Sequence, residues 1–211
     1  MNREIVLAVA AVLIIPSGVF AGESQGKGKA RSEFRQKQRV ETQEHVNQQK
    51  EENKEFRQGI KDLSPEQRKT ALQEHREKQY EENKTFRQTQ HEENVAYLKE
   101  KLNSNKNLTD TQKNELVNFF EAQYKEQVAF RDQRHNENVA FFEKIASDTT
   151  MTQEEKKKAI REHVTAQKSE AKEMREEQKT ENKEERNKIR SEMKENKRME
   201  HGKSPLSGEA N

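Results

Sequence analysis

Apolar side chains recur along this chain at intervals of about 44 residues. The stretch from Leu63 to Leu102 is repeated in outline from Leu108 to Ile145, and a weaker copy begins at Met151. A partial copy lies upstream, because residues 44–58 (EHVNQQKEENKEFRQ) closely match residues 74–88 (EHREKQYEENKTFRQ). Repetition at such a period indicates one supersecondary unit that is used several times.

A shorter period inside each repeat indicates the type of secondary structure. The segment 80–86 (YEENKTF) matches the segment 91–97 (HEENVAY) eleven residues later. Eleven residues make three turns of an α-helix and give a nearly straight apolar seam. Between Ala30 and His201 the only glycine is Gly59 and the only proline is Pro65. The other residues are mostly strong helix formers, so the pattern predicts an all-α protein.

Each long repeat opens with a signal for a helix start. In a capping box, a hydroxyl side chain accepts the backbone N–H three residues on, and the Gln or Glu there reaches back. The sequence predicts three such boxes, each preceded by an apolar residue, and Pro65 suits a first helical position. The residues of the predicted caps are Leu63, Ser64, Gln67, Leu108, Thr109, Gln112, Thr152 and Glu155.

These signals predict four helices, over residues 30–58, 65–103, 110–146 and 152–200. The connections between them are short, which favours antiparallel packing of successive helices. The predicted fold is therefore all-α, with long antiparallel helices in hairpins, built from repeats of about 44 residues with eleven-residue sub-periods.

Both ends of the chain differ from the repeats. Residues 1–21 combine a short charged start, an apolar run from Ile5 to Ile15 and a small residue, Ala21, at the end. This layout is typical of a secretory signal peptide, and the run is shorter than the roughly 20 residues that span a bilayer. We therefore expect export, cleavage near Ala21 and no membrane span afterwards; an uncleaved anchor is the alternative. Residues 22–29 are predicted to be a flexible leader and 201–211 a disordered tail.

The composition excludes several classes of protein. Only 28% of the 211 residues are hydrophobic, which suits disorder, but the formal net charge of +2 does not, because disorder usually accompanies high net charge. Without cysteine the chain has no disulfides and no thiol chemistry. The near balance of charge implies no nucleic-acid partner. The sequence contains no Gly-rich phosphate loop and no nucleophile elbow, so we expect neither an enzyme nor a cofactor.

The aromatic residues of the repeats are the main candidates for function. They are interpreted either as packing along the helix seams or as an exposed apolar surface that binds unfolded proteins, since large apolar patches mark interaction sites. Asn83, Asn94 and Asn138 each precede an aromatic residue by three positions, where a polar residue can fix the register of helices. The candidates for client binding are Phe86, Tyr97, Phe119, Phe120, Phe130, Phe141 and Phe142.

The histidines indicate no metal site by their spacing. No two of them are three or four residues apart, as zinc ligands on one helix face would be. Capture of a metal between helices is left as an alternative, and no metal ligand is assigned. The six histidines, His45, His75, His91, His135, His163 and His201, are interpreted as features of the repeat.

The predicted helix starts resemble a known motif. The segments 63–67 (LSPEQ) and 108–112 (LTDTQ) resemble the LTxxQ motif of the Spy and CpxP family of bacterial envelope-stress proteins, and MTQEE at 151–155 is similar to a degenerate copy. The resemblance implies a periplasmic, all-helical dimer that binds unfolded proteins without ATP. It also implies that Leu63, Ser64, Gln67, Leu108, Thr109 and Gln112 are motif positions.

The leading hypothesis is an exported, ATP-independent chaperone or envelope-stress adaptor whose partners are unfolded or partly folded proteins. A structural helical scaffold or spacer is the first alternative, and a metal-responsive periplasmic protein is the second. We also expect a homodimer or a higher homo-oligomer, because a thin apolar seam gains by pairing with another copy.

Overall fold

A computed structural model of the chain describes residues 25–202, with side chains from residue 30 to residue 196 and at Arg198. These residues form four helices and no strand, so the prediction of an all-α fold is confirmed. The helices are α1 (Gln25–Gly59), α2 (Pro65–Asn103), α3 (Asp110–Ser147) and α4 (Gln153–Gly202).

The first and last helices are longer than predicted. α1 begins at Gln25, inside the stretch predicted to be a flexible leader, and α4 ends at Gly202, inside the predicted tail. Extending an existing helix gains one backbone hydrogen bond for each residue that is ordered. Helix formers such as Gln25 and Ala30 offset the low propensity of the two glycines between them. The predicted signal peptide, residues 22–24 and residues 203–211 lie outside the described residues.

The described residues divide into two compact units, with the boundary between residues 94 and 95. In the first unit, α1 runs antiparallel to residues 65–94 of α2. Lys37 near the start of α1 bonds to Glu93 (Nζ to Oε1, 2.8 Å). Asn53 near the end of α1 contacts His75 (Oδ1 to Nε2, 3.0 Å). Residues later in α1 therefore contact residues earlier in α2, as antiparallel helices do.

The second unit contains residues 95–103 of α2 together with α3 and α4. α3 and α4 are also antiparallel. Gln112 at the start of α3 donates to Glu192 near the end of α4 (Nε2 to Oε2, 3.1 Å). Asn138, towards the end of α3, contacts His163, near the start of α4 (Oδ1 to Nε2, 2.8 Å).

Apolar burial is concentrated in the second unit. The first unit, over its described residues, buries only the polar side chains of Gln49, His91 and Asn94. Its helices are therefore held together without a continuous apolar core. The buried apolar side chains of the second unit are Val95, Leu98, Leu102, Leu108, Leu116, Ala171 and Ile189.

Reciprocal hydrogen bonds cap the starts of α2, α3 and α4. At α2, the Ser64 N–H donates to Gln67 Oε1 (3.1 Å) and the Gln67 N–H donates to Ser64 Oγ (3.3 Å). Thr109 and Gln112 exchange the same two bonds at 3.1 and 3.2 Å. At α4 the Thr152 N–H donates to a Glu155 carboxylate oxygen at 2.7 Å, and the Glu155 N–H donates to Thr152 Oγ1 at 3.3 Å. Each box satisfies donors that a helix start leaves unpaired.

One arginine closes the turn between α1 and α2. The Arg68 guanidinium donates to the carbonyl oxygens of Ile60 (3.2 Å), Lys61 (2.7 Å) and Leu63 (3.2 Å). These carbonyls follow the C-terminus of α1, where positive charge is favourable. Arg68 therefore ties the beginning of α2 to the end of α1.

A carboxylate organises the turn between α3 and α4. Asp148 Oδ1 accepts the Thr150 hydroxyl (2.7 Å) and the N–H groups of Thr150 (2.8 Å) and Met151 (3.2 Å). These bonds, the hydroxyl bond first, lower the pKa of Asp148. The bonds from Thr152, its N–H first, lower the pKa of Glu155 in the adjacent capping box.

None of the four helices, over residues 25–202, combines the length and apolar character needed to cross a membrane.

Acid should loosen the turn between α3 and α4 before the turn between α1 and α2. The pKa values of Asp148 and Glu155 are lower in the folded chain than in the unfolded one. Their contribution is therefore complete above the unfolded carboxyl pKa, about 4, and is lost as the pH falls through the lowered values. Protection of the Thr150, Met151 and Thr152 amides, which donate to these two carboxylates, against hydrogen exchange should fall over this range.

The other turn supplies the control within the same molecule. Its capping box uses Gln67, an amide that does not titrate. Protection of the Ser64 and Gln67 amides should therefore stay constant across the same pH range. Parallel loss at both turns would show that acid unfolds the hairpins as a whole, and the prediction would be wrong.

Candidate functional site

Three clusters of the same composition connect the antiparallel helices. In each one, a histidine of one helix contacts an asparagine and a phenylalanine that are three residues apart on the paired helix. We call this arrangement the His–Asn–Phe cluster. The three clusters are His45 with Asn83 and Phe86, His75 with Asn53 and Phe56, and His163 with Asn138 and Phe141.

The first two clusters lie in the first unit and have nearly the same geometry. The His45 and Phe86 rings are stacked with centroids 4.2 Å apart and planes 6° apart. The His75 and Phe56 rings are stacked at 3.8 Å and 5°. The Nε2 atoms lie 3.1 Å from Asn83 Oδ1 for His45 and 3.0 Å from Asn53 Oδ1 for His75. Each imidazole is thus held both by its face and by its edge.

The third cluster lies in the second unit and has one additional ring. His163 stacks on Phe141 at 4.0 Å and 10°, and its Nε2 is 2.8 Å from Asn138 Oδ1. Phe142 meets the His163 ring edge to face at 6.5 Å and 84°. Aromatic pairs in stacked or edge-to-face geometry contribute about 0.5–1.5 kcal/mol beyond their burial.

The asparagines are oriented by their own helices. Asn53 Nδ2 donates to the carbonyl oxygen of Gln49 (2.8 Å), and Asn83 Nδ2 donates to that of Gln79 (2.7 Å). This bond to the preceding turn leaves Oδ1 directed away as an acceptor. The imidazole Nε2 must therefore carry the hydrogen in these two contacts, because two acceptors cannot bond to each other. The helix that carries the asparagine therefore fixes the orientation in which its Oδ1 accepts the histidine N–H.

The two clusters of the first unit are reciprocal. Residues 44–58 of α1 and residues 74–88 of α2 are the two closely matching segments of the sequence. The histidine of each segment contacts the asparagine and the phenylalanine of the other. The pairing is therefore related by an approximate local two-fold axis, and each segment acts as the partner of its own copy.

The second unit has an apolar variant at the corresponding register. The pairing of His163 with Asn138 and Phe141 places Phe130 of α3 at the histidine position of a reciprocal cluster. The matching positions on α4 are Ala171 and Met174. Ala171 is buried, and Phe130 and Met174 are half-buried. Histidine, asparagine and phenylalanine are replaced there together, so that no polar group of the cluster remains without its partner.

A second type of polar contact fixes α3 on α4. The side chain of Gln123 is buried and donates to Glu181 (Nε2 to Oε2, 3.2 Å). It also accepts a bond from Asn182 Nδ2 at 3.0 Å. Gln178 Nε2 donates to the Gln123 carbonyl oxygen at 3.3 Å. Because buried polar groups need partners, these bonds favour one register over others.

The aromatic residues proposed for client binding are all half-buried. Phe86, Phe141 and Phe142 belong to His–Asn–Phe clusters or contact one. The Arg134 guanidinium lies 5.4 Å from the Phe130 ring centroid, and the Lys101 ammonium lies 4.9 Å from that of Tyr97. All seven candidates, Phe86, Tyr97, Phe119, Phe120, Phe130, Phe141 and Phe142, therefore keep part of their surface open to water.

An open groove lies beside the His45 cluster in the first unit. It has a volume of about 440 Å³, and its lining includes Phe86, Gln49 and Glu82. The groove gives solvent access to one of the stacked rings, Phe86.

Within residues 25–202, no three side chains of the types His, Asp or Glu gather closely enough to hold a metal ion. In the three clusters, Nε2 of His45, His75 and His163 is already bonded to asparagine.

The three histidines and two of the asparagines, Asn83 and Asn138, stand out in the sequence, but Asn53 does not, and no feature of the sequence pairs them. A detectable signal was present, because His45, Asn53 and Phe56 have the same spacing as His75, Asn83 and Phe86. The spacing identifies a cluster only together with the pairing of the two helices, which the sequence does not specify.

Asn138→Ala should destabilise the second unit relative to Asn136→Ala. Both substitutions gain the higher helix propensity of alanine, but only Asn138 bonds to His163, while Asn136 is exposed. Loss of one partly buried hydrogen bond makes Asn138→Ala less stable by about 1 kcal/mol. Urea unfolding followed by circular dichroism measures the difference. Equal stabilities would show that the bond contributes nothing.

No protein-family model, no curated protein and no solved structure matches this chain. The similarity of residues 63–67 and 108–112 to the LTxxQ motif therefore stays a prediction that rests on those residues alone.

Proposed function

We propose that the protein is an exported, ATP-independent chaperone or envelope-stress adaptor that holds unfolded or partly folded proteins on its aromatic seams. The observation that carries the proposal is the half-burial of all seven candidate aromatic residues. Each ring is positioned by the helices and still has apolar surface in contact with water.

Half-buried rings suit weak and unselective binding. Covering apolar surface contributes about 25 cal/mol per Å² and does not depend on direction, so many client sequences are acceptable. One ring offers little surface, but α3 alone carries Phe119, Phe120, Phe130, Phe141 and Phe142. At 1.5 Å per residue this helix is about 57 Å long, so an extended client segment can contact several rings at once.

The charged residues around the seams complete the binding surface. Ion pairs connect the helices on the outside, for example Lys37 with Glu93 (2.8 Å) and Lys188 with Glu115 (3.1 Å). Exposed pairs of this kind contribute little to stability. Their charge keeps a complex with an apolar client soluble, since solubility depends on a charged surface without large apolar patches.

A structural scaffold or spacer is the second candidate, and the His–Asn–Phe clusters favour it. In these clusters the faces of Phe56, Phe86 and Phe141 are occupied by histidine rings. Contacts that specify register are what a rod of fixed length requires. The two candidates differ in the rings outside the clusters, which a scaffold does not need to expose.

A client assay separates the two candidates. The chain without residues 1–21 is mixed at equimolar concentration with a reduced, aggregating protein, and light scattering and helicity are followed together. A chaperone should suppress most of the aggregation. The double variant Phe119→Gln and Phe120→Gln should lose most of that suppression while its helicity stays unchanged, because both rings are half-buried and lie outside the His–Asn–Phe clusters.

Val139→Gln is the matched control, since Val139 is a large apolar residue of α3 that is 40% exposed. It removes apolar surface without changing the seam, so suppression should persist. Absence of suppression by the well-folded parent chain would overturn the chaperone proposal and leave the scaffold.

A further inference from the structure

We propose that residues 44–58 and their copy, residues 74–88, form a self-recognition module through which two molecules of this chain exchange helices. In the exchanged dimer, α1 of one molecule pairs with residues 65–94 of α2 of a second copy, and the reverse pairing completes the dimer. The partner is thus a second copy of this chain, and the exchange does not depend on any client.

The reciprocal clusters identify this partner. Any segment that carries the histidine, the asparagine and the phenylalanine at this spacing offers both halves of the contact. In the closed hairpin, His45 uses Asn83 and Phe86, while His75 uses Asn53 and Phe56. The same atoms are available on a second molecule at the same distances. The module therefore recognises its copy whether that copy is in the same chain or in another.

Exchange preserves the other contacts between α1 and α2 as well. The ion pair of Lys37 with Glu93 (2.8 Å) and that of Lys78 with Glu52 (3.7 Å) re-form between molecules. The capping box of Ser64 and Gln67 is local to the start of α2 and remains in both forms. The difference in free energy between the forms therefore comes from the turn and from the protein concentration.

The hinge is the segment 60–63, between the end of α1 and the capping box. Gly59 at its border is exposed and has open space where a side chain would begin. The contacts that hold this segment closed are the three bonds from Arg68 to the carbonyl oxygens of Ile60, Lys61 and Leu63. Arg68 thus favours the closed hairpin over the exchanged form.

Opening the first unit uncovers no fully buried apolar side chain among its described residues, only rings such as Phe56 and Phe86 that are already partly exposed. Its described residues bury Gln49, His91 and Asn94 and no apolar side chain. Elements with few buried apolar contacts separate at a lower free energy than the core of a protein. Separation of α1 from α2, the step that exchange requires, is therefore accessible without unfolding the second unit.

A zero-length crosslink tests the exchange on the unaltered chain. Equal amounts of unlabelled and ¹⁵N-labelled protein are mixed, unfolded, refolded together at high concentration and treated with a carbodiimide, which joins an amine to a contacting carboxylate. Mass spectrometry then reads the peptide that links Lys37 to Glu93. A closed hairpin gives only peptides of one isotope. Exchange gives mixed-isotope peptides, up to about half of the product when it is complete.

Arg68→Ala provides the second arm, with Lys69→Ala as control, because the exposed Lys69 is the next residue of the same helix. Loss of the Arg68 bonds should raise the exchanged fraction about tenfold at a fixed low concentration, whereas Lys69→Ala should match the parent. Light scattering should show the corresponding dimer, and circular dichroism should show unchanged helicity.

Two outcomes overturn the proposal. One is the complete absence of mixed-isotope Lys37–Glu93 peptides in both the parent chain and Arg68→Ala. The other is a dimer whose Lys37–Glu93 peptides all contain a single isotope, since that dimer would form through a different surface. An unfolded Arg68→Ala variant leaves the result of the parent chain as the deciding measurement.

Discussion

The hydrogen bond from a histidine to an asparagine, with a phenylalanine ring beneath the imidazole, sets the register of two helix pairs in this protein. A helix seam with few aliphatic residues specifies the register of two helices only weakly, because sliding one helix by one turn changes the buried apolar surface little. A polar pair is different, since sliding leaves a donor and an acceptor without partners. Stacking adds a geometric requirement that only one alignment meets. The register of these hairpins is thus specified by polar and aromatic contacts between the helices.

The local features of the fold could be read from the sequence, and the contacts between helices could not. Capping boxes such as Ser64 with Gln67 depend on residues three positions apart, so the starts of three helices were visible in advance. The contact of His45 with Asn83 joins residues from different helices and requires the register first. The first helix start was also misjudged, because Gly26 and Gly28 indicated a leader while the following helix continues through them.

The sequence predicts which types of residue form the candidate site. It does not predict how far those residues are buried. The aromatic residues were expected to be either packed in the seams or exposed on a surface. In the structure they are half-buried, so that each is partly covered by its surroundings and partly exposed. Phe86 shows both properties, with one face on His45 and an adjoining groove of about 440 Å³. Packing and accessibility are combined in the same side chains, and residue spacing alone does not reveal that combination.

The described part of the first unit has no fully buried apolar side chain, and this has a thermal consequence. The heat capacity of unfolding arises mainly from newly exposed apolar surface, and exposed polar surface lowers it. A helix pair whose fully buried side chains are Gln49, His91 and Asn94, and whose rings Phe56 and Phe86 are only partly covered, exposes less apolar surface on separation than a pair closed around an apolar core. Its stability curve is therefore flatter than the dome of a protein with a large core, and its pairing changes gradually between cold and warm conditions. The free energy of helix pairing in such a unit therefore changes gradually with temperature.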